Sequence, residues 1–288
     1  MKPAAFEYHR AYTPDEVVEM LTEFGDDAKI LAGGQSLAPM MNFRLARPSA
    51  LVDVNPVGGL DYIRREGQQL RVGALTRHRT LETSTLDGVR DGFAVLPRAA
   101  RWIGHYPIRS RGTVGGSIAH SDPTAEWCIL ARLYDAEIVV QGLSGTRTIR
   151  SEDWFTGFLT TSIEPNEMVV EIRFNRPRPY AALTEYARRR GDFAVAAAAV
   201  AFDVVDGRCS DVTIVLGGVA TEPLRLPEAE AFVEGSAPEE QTWVEAARIA
   251  AAAIRQTSDP QEDHYRRHLV DTLTRRALVE ALETGPAR

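Results

Sequence analysis

The spacing of apolar and polar positions changes along this chain, and each change marks an element. Over Thr13-Pro14-Asp15-Glu16-Val17-Val18-Glu19-Met20-Leu21 the apolar residues recur at helical spacing. Thr13 can cap, Pro14 suits the first turn and Glu16 completes a capping box, so a helix is predicted to begin here and to end near Gly25-Asp26-Asp27. Ala28–Ala32 predicts a short buried strand running into Gly33-Gly34, and Ala50–Val54 a second apolar run broken by Asp53. The segment up to about Asn55 is thus a small β-α-β-α-β-like unit. Tyr62–Arg65 and Gln69–Gly73 flank a Glu66-Gly67 turn and predict a hairpin, followed by a helical stretch over Gly92–His105.

Further on, Ala136–Gln141 and Gly145–Ile149 predict a strand pair, Ser151–Phe155 a short helix, and Met168–Phe174 a strand closed off by Pro177 and Pro179. The proline-rich stretch Asn175–Pro179 is the expected domain boundary. Strands are predicted at Ala194–Val205 and Val212–Gly217, then helices at Ala229–Glu234, Gln241–Gln256 and His264–Leu282. The pattern is that of an α+β chain without repeats or low-complexity tracts.

Composition narrows the class. With 288 residues, 44% of them hydrophobic and 25% charged, the chain can bury one large core or two to three smaller ones. A net charge of −7 supplies no general basic field for a nucleic-acid backbone, so nucleic acid is not an expected partner. Only two cysteines occur, Cys128 and Cys209, far apart and without ligand spacing; neither a zinc site nor an iron–sulfur cluster is expected in this chain. No apolar run approaches the roughly 20 residues of a membrane span, and the start, Met1-Lys2-Pro3-Ala4-Ala5-Phe6, does not resemble a signal peptide. A cytoplasmic protein is expected, one that a larger complex could bring to the inner face of the membrane.

Two glycine pairs followed by serine carry the candidate chemistry. A pyrophosphate needs no cationic side chains if several backbone N–H groups point at it, and such close approach favours residues without a Cβ. In Ala32-Gly33-Gly34-Gln35-Ser36 the glycines could supply backbone donors, with Ser36 and Gln35 adding side-chain ones. In Thr113-Val114-Gly115-Gly116-Ser117 the same logic gives backbone donors from Gly115 and Gly116, with hydroxyls at both ends. Glycine pairs also occur at Gly58-Gly59 and Gly217-Gly218, and a lone pair is more often a tight turn than a ligand site. Neither turn has the spacing of the Gly-x-Gly-x-x-Gly or Walker patterns.

The longer runs around these turns carry a resemblance. Ala28-Lys29-Ile30-Leu31-Ala32-Gly33-Gly34-Gln35-Ser36-Leu37-Ala38-Pro39-Met40-Met41-Asn42-Phe43-Arg44-Leu45, Ile108-Arg109-Ser110-Arg111-Gly112-Thr113-Val114-Gly115-Gly116-Ser117-Ile118-Ala119-His120-Ser121-Asp122-Pro123, Arg188-Arg189-Arg190-Gly191-Asp192-Phe193-Ala194 and Tyr265-Arg266-Arg267-His268-Leu269 stand in order. Together they resemble the FAD-binding medium subunits of molybdenum hydroxylases, of the carbon monoxide dehydrogenase and xanthine dehydrogenase family. The resemblance implies an α+β fold: a two-part FAD-binding region of the PCMH type, like that of vanillyl-alcohol oxidase, then an antiparallel sheet with helices, the carbon monoxide dehydrogenase flavoprotein C-terminal domain. The expected divisions are residues 1–57, an N-terminal α/β subdomain; 58–177, a middle subdomain; and 178–288, a C-terminal α+β domain.

It further implies that Ala32, Gly33, Gly34, Gln35 and Ser36, with Thr113, Val114, Gly115, Gly116 and Ser117, hold the FAD pyrophosphate, and that Ile103 packs near the cofactor. Glu126 would accept from an FAD hydroxyl, Met168 or Val169 would lie beside the isoalloxazine, and Asp192 and Phe193 would close over it. Many relatives carry Tyr in place of Phe193 and Lys in place of Glu185; Phe193 can stack but cannot donate, and Glu185 leaves the flavin N1 region without the cation of the relatives, with Arg188 close in sequence. The implied role is an electron-transferring oxidoreductase subunit without catalytic residues of its own. A large partner would carry the molybdenum-pterin and a small one two [2Fe-2S] clusters, in a dimer of heterotrimers, with a quinone, oxygen or another compound as acceptor. A cofactor-free scaffold and a stand-alone flavoprotein oxidase are the alternatives; the intact glycine turns speak against the first and the lack of an added substrate domain against the second.

Other candidates carry less. His264 and His268 stand four apart beside Asp263, but without a third ligand they are expected on an ordinary helix face. A triad from His120, Ser121 and Asp122 is excluded because neighbouring side chains diverge. Arg188–Arg190 could be a solvated edge, a partner-facing patch or part of the flavin opening.

Overall fold

The computed structural model describes residues 2–254 and 260–286. The first unit is a parallel sheet of β1 (Glu7–Arg10), β2 (Ala28–Leu31) and β3 (Ala50–Asp53) in the order β1-β3-β2, with helices α1 (Pro14–Phe24) and α2 (Leu37–Asn42) in the crossovers. The expected cap forms, with its return bond shifted by one residue: Thr13 Oγ1 accepts from the Glu16 N–H at 3.2 Å, and the Glu16 carboxylate reaches past the N-cap to accept from the Tyr12 N–H at 2.6 Å. Val17 and Leu21 of α1 pack with Ala28, Ala50 and Val52 in a core of their own.

In the middle unit, strands β4 (Ile63–Glu66), β5 (Gln69–Gly73), β6 (Glu137–Gly142) and β7 (Gly145–Arg150) precede a small hairpin of β8 (Phe155–Gly157) and β9 (Thr160–Thr161). Strand β10 (Met168–Phe174) then enters the centre of an antiparallel sheet, order β4-β5-β10-β6-β7. The chain from 78 to 154 supplies the helices α3 (His78–Glu82), α4 (Asp87–Phe93), α5 (Val95–Ala100), α6 (Tyr106–Arg111), α7 (Val114–His120), α8 (Glu126–Leu133) and α9 (Ser151–Trp154).

The last unit is an antiparallel sheet of β11 (Tyr180–Tyr186), β12 (Ala196–Val205), β13 (Arg208–Gly217) and β14 (Leu224–Arg225) in chain order. Helices α10 (Pro227–Val233), α11 (Glu240–Ala252) and α12 (Pro260–Thr284) follow. Successive side chains of a strand point to opposite faces, so the alanine-rich β12 is shared: Ala197, Ala199 and Ala201 join the middle core, while Ala196, Ala198 and Val200 pack with the terminal helices. Small side chains on both faces let the helices of two units approach one sheet.

Several expectations change. The helix over Gly92–His105 is broken at its start, because Gly92 has φ +77° and lies against Pro177 and Arg178; its carbonyl accepts from the Arg178 N–H at 2.7 Å. Only Val95–Ala100 remains helical before the chain turns. Strand β13 begins at Arg208 rather than Val212, since Asp206 and Gly207 (φ +51° and +73°) close a tight hairpin with β12. Strand β11 was not anticipated. The helix expected over Gln241–Gln256 ends at Ala252, and residues 255 and 256 lie outside the described residues.

Candidate functional site

The two glycine turns meet, but they are not alike. The first leaves β2 with Gly34 at φ +69°. Four of its carbonyls are occupied: Ala32 O accepts from Asn55 Nδ2 (2.9 Å), Gly33 O from Gln35 Nε2 (2.9 Å), Gly34 O from the Ala38 N–H (3.1 Å) and Ser36 O from the Met40 N–H (3.1 Å). The N–H groups of Gly33, Gly34, Gln35 and Ser36 have no acceptor among the described residues. Half-buried donors without partners are the chemistry that an anion would satisfy, which makes this turn the candidate anion site. Gln35 braces the Gly33 carbonyl with one of its two amide N–H groups, which leaves the second as a donor.

The second turn is the opening of α7. Thr113 is its N-cap, with Oγ1 accepting from the Gly116 N–H at 3.1 Å; the Val114 N–H donates to Thr76 O (2.9 Å), the Gly115 N–H to Ala74 O (3.0 Å) and the Ser117 N–H to Thr113 O (3.1 Å). The expectation that Gly115 and Gly116 offer backbone donors is therefore corrected, because those N–H groups are already engaged. Gly115 is glycine for packing: a Cβ there would lie 2.5 Å from the Ala74 Cβ. Gly116 is exposed and Ser117 half-buried, so this turn offers a smooth wall and a hydroxyl.

Contact between the turns is made by main chain. A Cβ on Gly33 would lie 2.5 Å from Arg111 O and 2.6 Å from the Gly112 Cα. Two residues that the sequence did not mark tie them together: Asn55, fixed by Asp53, donates to Ala32 O, and Arg77 donates from Nη2 to Asn55 Oδ1 (2.7 Å) and from Nη1 to Arg111 O. Behind them His78 is buried; its N–H donates to Gly112 O (3.1 Å) and its Nδ1 accepts from Trp127 Nε1 (2.9 Å). Burial holds its pKa down at about 3, so the ring is neutral.

A third wall begins at α6. Arg109 pairs with Glu82 (2.9 Å) and donates to Ile103 O (3.1 Å) and Gly104 O (3.0 Å), which binds the half-buried Ile103 to the helix leading into Thr113. Gly191 lies against His105, where a Cβ would be 2.5 Å from the imidazole Cε1, and so places the following Asp192 and Phe193 at this rim. Both are exposed; Phe193 shows 71% of its surface, an uncovered aromatic face beside a candidate site.

Glu126 opens α8 and is partly exposed although surrounded by protein. Burial raises its pKa, and the charges of Glu185 and Asp122 raise it further; burial also raises Glu185, whose Oε2 is buried without a hydrogen-bond partner. Met168 and Val169 are placed differently from expectation. They are 2% and 7% exposed and belong to the packed cores of the first and middle units, not to the surface shared by the turns. Arg188, Arg189 and Arg190 are exposed, as are His264 and His268. No motif announced Asn55, Arg77 or His78; a polar residue just past a buried strand is the only signal Asn55 gave.

The unengaged N–H groups of the first turn suit an anion in chemistry, and a Cβ on Gly33 would disturb the wall beside it. Comparisons with known proteins agree with this chemistry. The family described as "FAD binding domain in molybdopterin dehydrogenase" matches residues 4–177, and that described as "CO dehydrogenase flavoprotein C-terminal domain" matches residues 181–281. The chain is 38% identical to the 6-hydroxypseudooxynicotine dehydrogenase complex subunit alpha of Paenarthrobacter nicotinovorans, over 98% of this chain and 96% of that one. It is 36% identical to the carbon monoxide dehydrogenase medium chain of Hydrogenophaga pseudoflava, over 98% of each. The solved carbon monoxide dehydrogenase of Hydrogenophaga pseudoflava lacking the Mo-pyranopterin moiety contains a chain that superposes with a TM-score of 0.93 at 35% identity, covering 99% of this chain and 100% of that one. The chain belongs to the FAD-binding medium subunits of the molybdenum hydroxylases and is an oxidoreductase subunit of the carbon monoxide dehydrogenase type.

Proposed function

We propose that this chain holds FAD with its diphosphate along the N–H groups of Gly33–Ser36, against the wall formed by Gly112–Ser117, and its ring system toward Ile103, Glu126, Asp192 and Phe193. The observation that carries this reading is the row of four N–H groups without an acceptor among the described residues, in a turn whose Ala32, Gly33, Gly34 and Ser36 carbonyls are engaged. Such donors are fixed before the ligand arrives, so binding needs little reorganisation. Ser36 and Ser117 add hydroxyls at the two ends. The exposed Phe193 would stack on the ring, while Gly191 against His105 fixes where that stacking face can stand.

Bound there, FAD supplies a centre that takes up and returns electrons singly or in pairs. The chain's own part is to hold that centre, shield one face and orient it between partners. In this reading a small iron–sulfur subunit delivers electrons drawn from substrate at a molybdenum-pterin in a large subunit, and an external acceptor, a quinone or oxygen among the candidates, removes them. The complex is proposed as a cytoplasmic dimer of heterotrimers.

The test uses the purified chain reconstituted with FAD and mixed with its reduced iron–sulfur partner. A flavin absorption band that appears on reconstitution and bleaches on mixing is the expected result. No flavin band after reconstitution would leave a cofactor-free scaffold instead. A band that bleaches with a small organic substrate but not with the partner would favour a stand-alone oxidase.

A further inference from the structure

Arg77 stands where the two halves of the site join. It follows β5, forms an isolated antiparallel bridge with Thr113, and is half-buried. Two of its donors reach uncharged acceptors, Asn55 Oδ1 and the Arg111 carbonyl. Asn55 in turn holds Ala32 O, and Arg111 O lies against Gly33. One side chain therefore connects the residue before the first glycine pair with the residue before Gly112.

Its charge has no matching partner. Among the described residues no carboxylate forms an ion pair with Arg77; Asp61 and Asp53 act on it only from farther off, and Arg111, another cation, opposes them. A half-buried guanidinium without a counter-ion is unfavourable, because the desolvation of the charge is not offset by a pair. Arg109 shows the contrast: it is also largely buried, and it has Glu82 at 2.9 Å. Two of the five guanidinium donors of Arg77 are committed, which leaves N–H groups for an anion. The row of unpaired N–H groups from Gly33 to Ser36 favours an anion in the same place.

We propose that Arg77 is both the positioning residue that sets the spacing of the two turns, through Asn55 and Arg111, and the counter-charge of the FAD diphosphate. The proposal rests on the reading that the first turn holds that diphosphate. The two roles separate experimentally. Positioning acts through hydrogen bonds and is insensitive to salt, whereas a partly exposed charge pair is screened as ionic strength rises.

The test is a titration of the FAD-free full-length chain with FAD, followed by flavin fluorescence at low and high ionic strength, for the parent and for Arg77→Gln, Arg77→Lys, Asn55→Ala and Gly33→Ala. Arg77→Gln is expected to bind FAD about tenfold or more weaker at low salt and to lose most of the salt dependence. Arg77→Lys should recover the salt dependence with intermediate affinity, since the charge remains without the planar fork. Asn55→Ala should weaken binding while keeping the salt dependence of the parent. Parent-like affinity in Arg77→Gln, or weakened binding with undiminished salt dependence, overturns the proposal. If Gly33→Ala also binds like the parent, the reading of the first turn itself fails; if only Arg77→Gln does, that reading stands and the role of Arg77 falls. Thermal midpoints of the FAD-free variants identify any that do not fold, and Arg77→Lys then carries the comparison.

Discussion

Gly33 stands against Arg111 with no room for a side chain between them: a Cβ on Gly33 would lie 2.5 Å from the Arg111 carbonyl oxygen. That oxygen is also held by Arg77, so it cannot retreat freely. Gly33→Ala must therefore push the two turns apart, with overpacking strain of about 1–3 kcal/mol. FAD affinity is expected to fall at least about tenfold, the equivalent of ~1.4 kcal/mol. Gly58→Ala is the control, since nothing lies within 4 Å of a Cβ there and its φ is not in the left-handed range. Equilibrium titration of both variants with FAD measures the difference, and equal affinities would count against the contact.

Thr113 offers a second handle, because its hydroxyl is the acceptor for the Gly116 N–H. Thr113→Val keeps the shape and removes the cap, which costs about 1 kcal/mol or somewhat more at a buried position. Thr113→Ser should retain the cap. Chemical denaturation of the FAD-free chain is expected to show a lowered midpoint for Val, with Ser much closer to the parent.

Glu126 and Glu185 give the stability of the FAD-free chain a pH dependence of definite sign. Burial and the charge of Glu185 raise Glu126 to about 8 from 4.5, and burial raises Glu185 as well. The folded chain then keeps protons that the unfolded chain has released. This contribution is fully present below the ordinary glutamate value and is lost as pH rises toward about 8. Denaturation midpoints should fall across that window, and Glu185→Gln should flatten the fall. An unchanged slope in that variant would assign the effect to other groups.

His78 has the opposite sign. Its folded value is depressed from 6.5 to about 3, chiefly by burial and then by the charges of Arg77 and Arg109. Its contribution is fully present above 6.5 and is lost as pH falls toward 3. Circular dichroism through an acid titration should show His78→Gln losing structure less steeply over this range, since a Gln side chain can still accept from Trp127 without binding a proton.

Much of the local structure was legible because its causes are local. Thr13, Pro14 and Glu16 start α1 within four residues, and Gly67 turns the β4–β5 hairpin. Both glycine runs could be singled out as candidate phosphate turns, since a glycine pair with serine is a local feature. What a local pattern cannot contain is who occupies a donor. Whether the Gly115 N–H is free depends on Ala74, some forty residues earlier, so the two similar-looking turns become a donor row and a wall only after folding.

Most of the elements, the two glycine turns and a family resemblance long enough to name FAD can be read from neighbouring residues, because period, capping and turn chemistry are local. Folding is what makes Asn55 and Arg77 join the turns, brings Glu126 and Glu185 close enough to act on each other, and puts Met168 and Val169 into packed cores. Hydrogen bonding, desolvation and packing act between residues far apart in the chain, and their partners are fixed by how the three larger sheets come together.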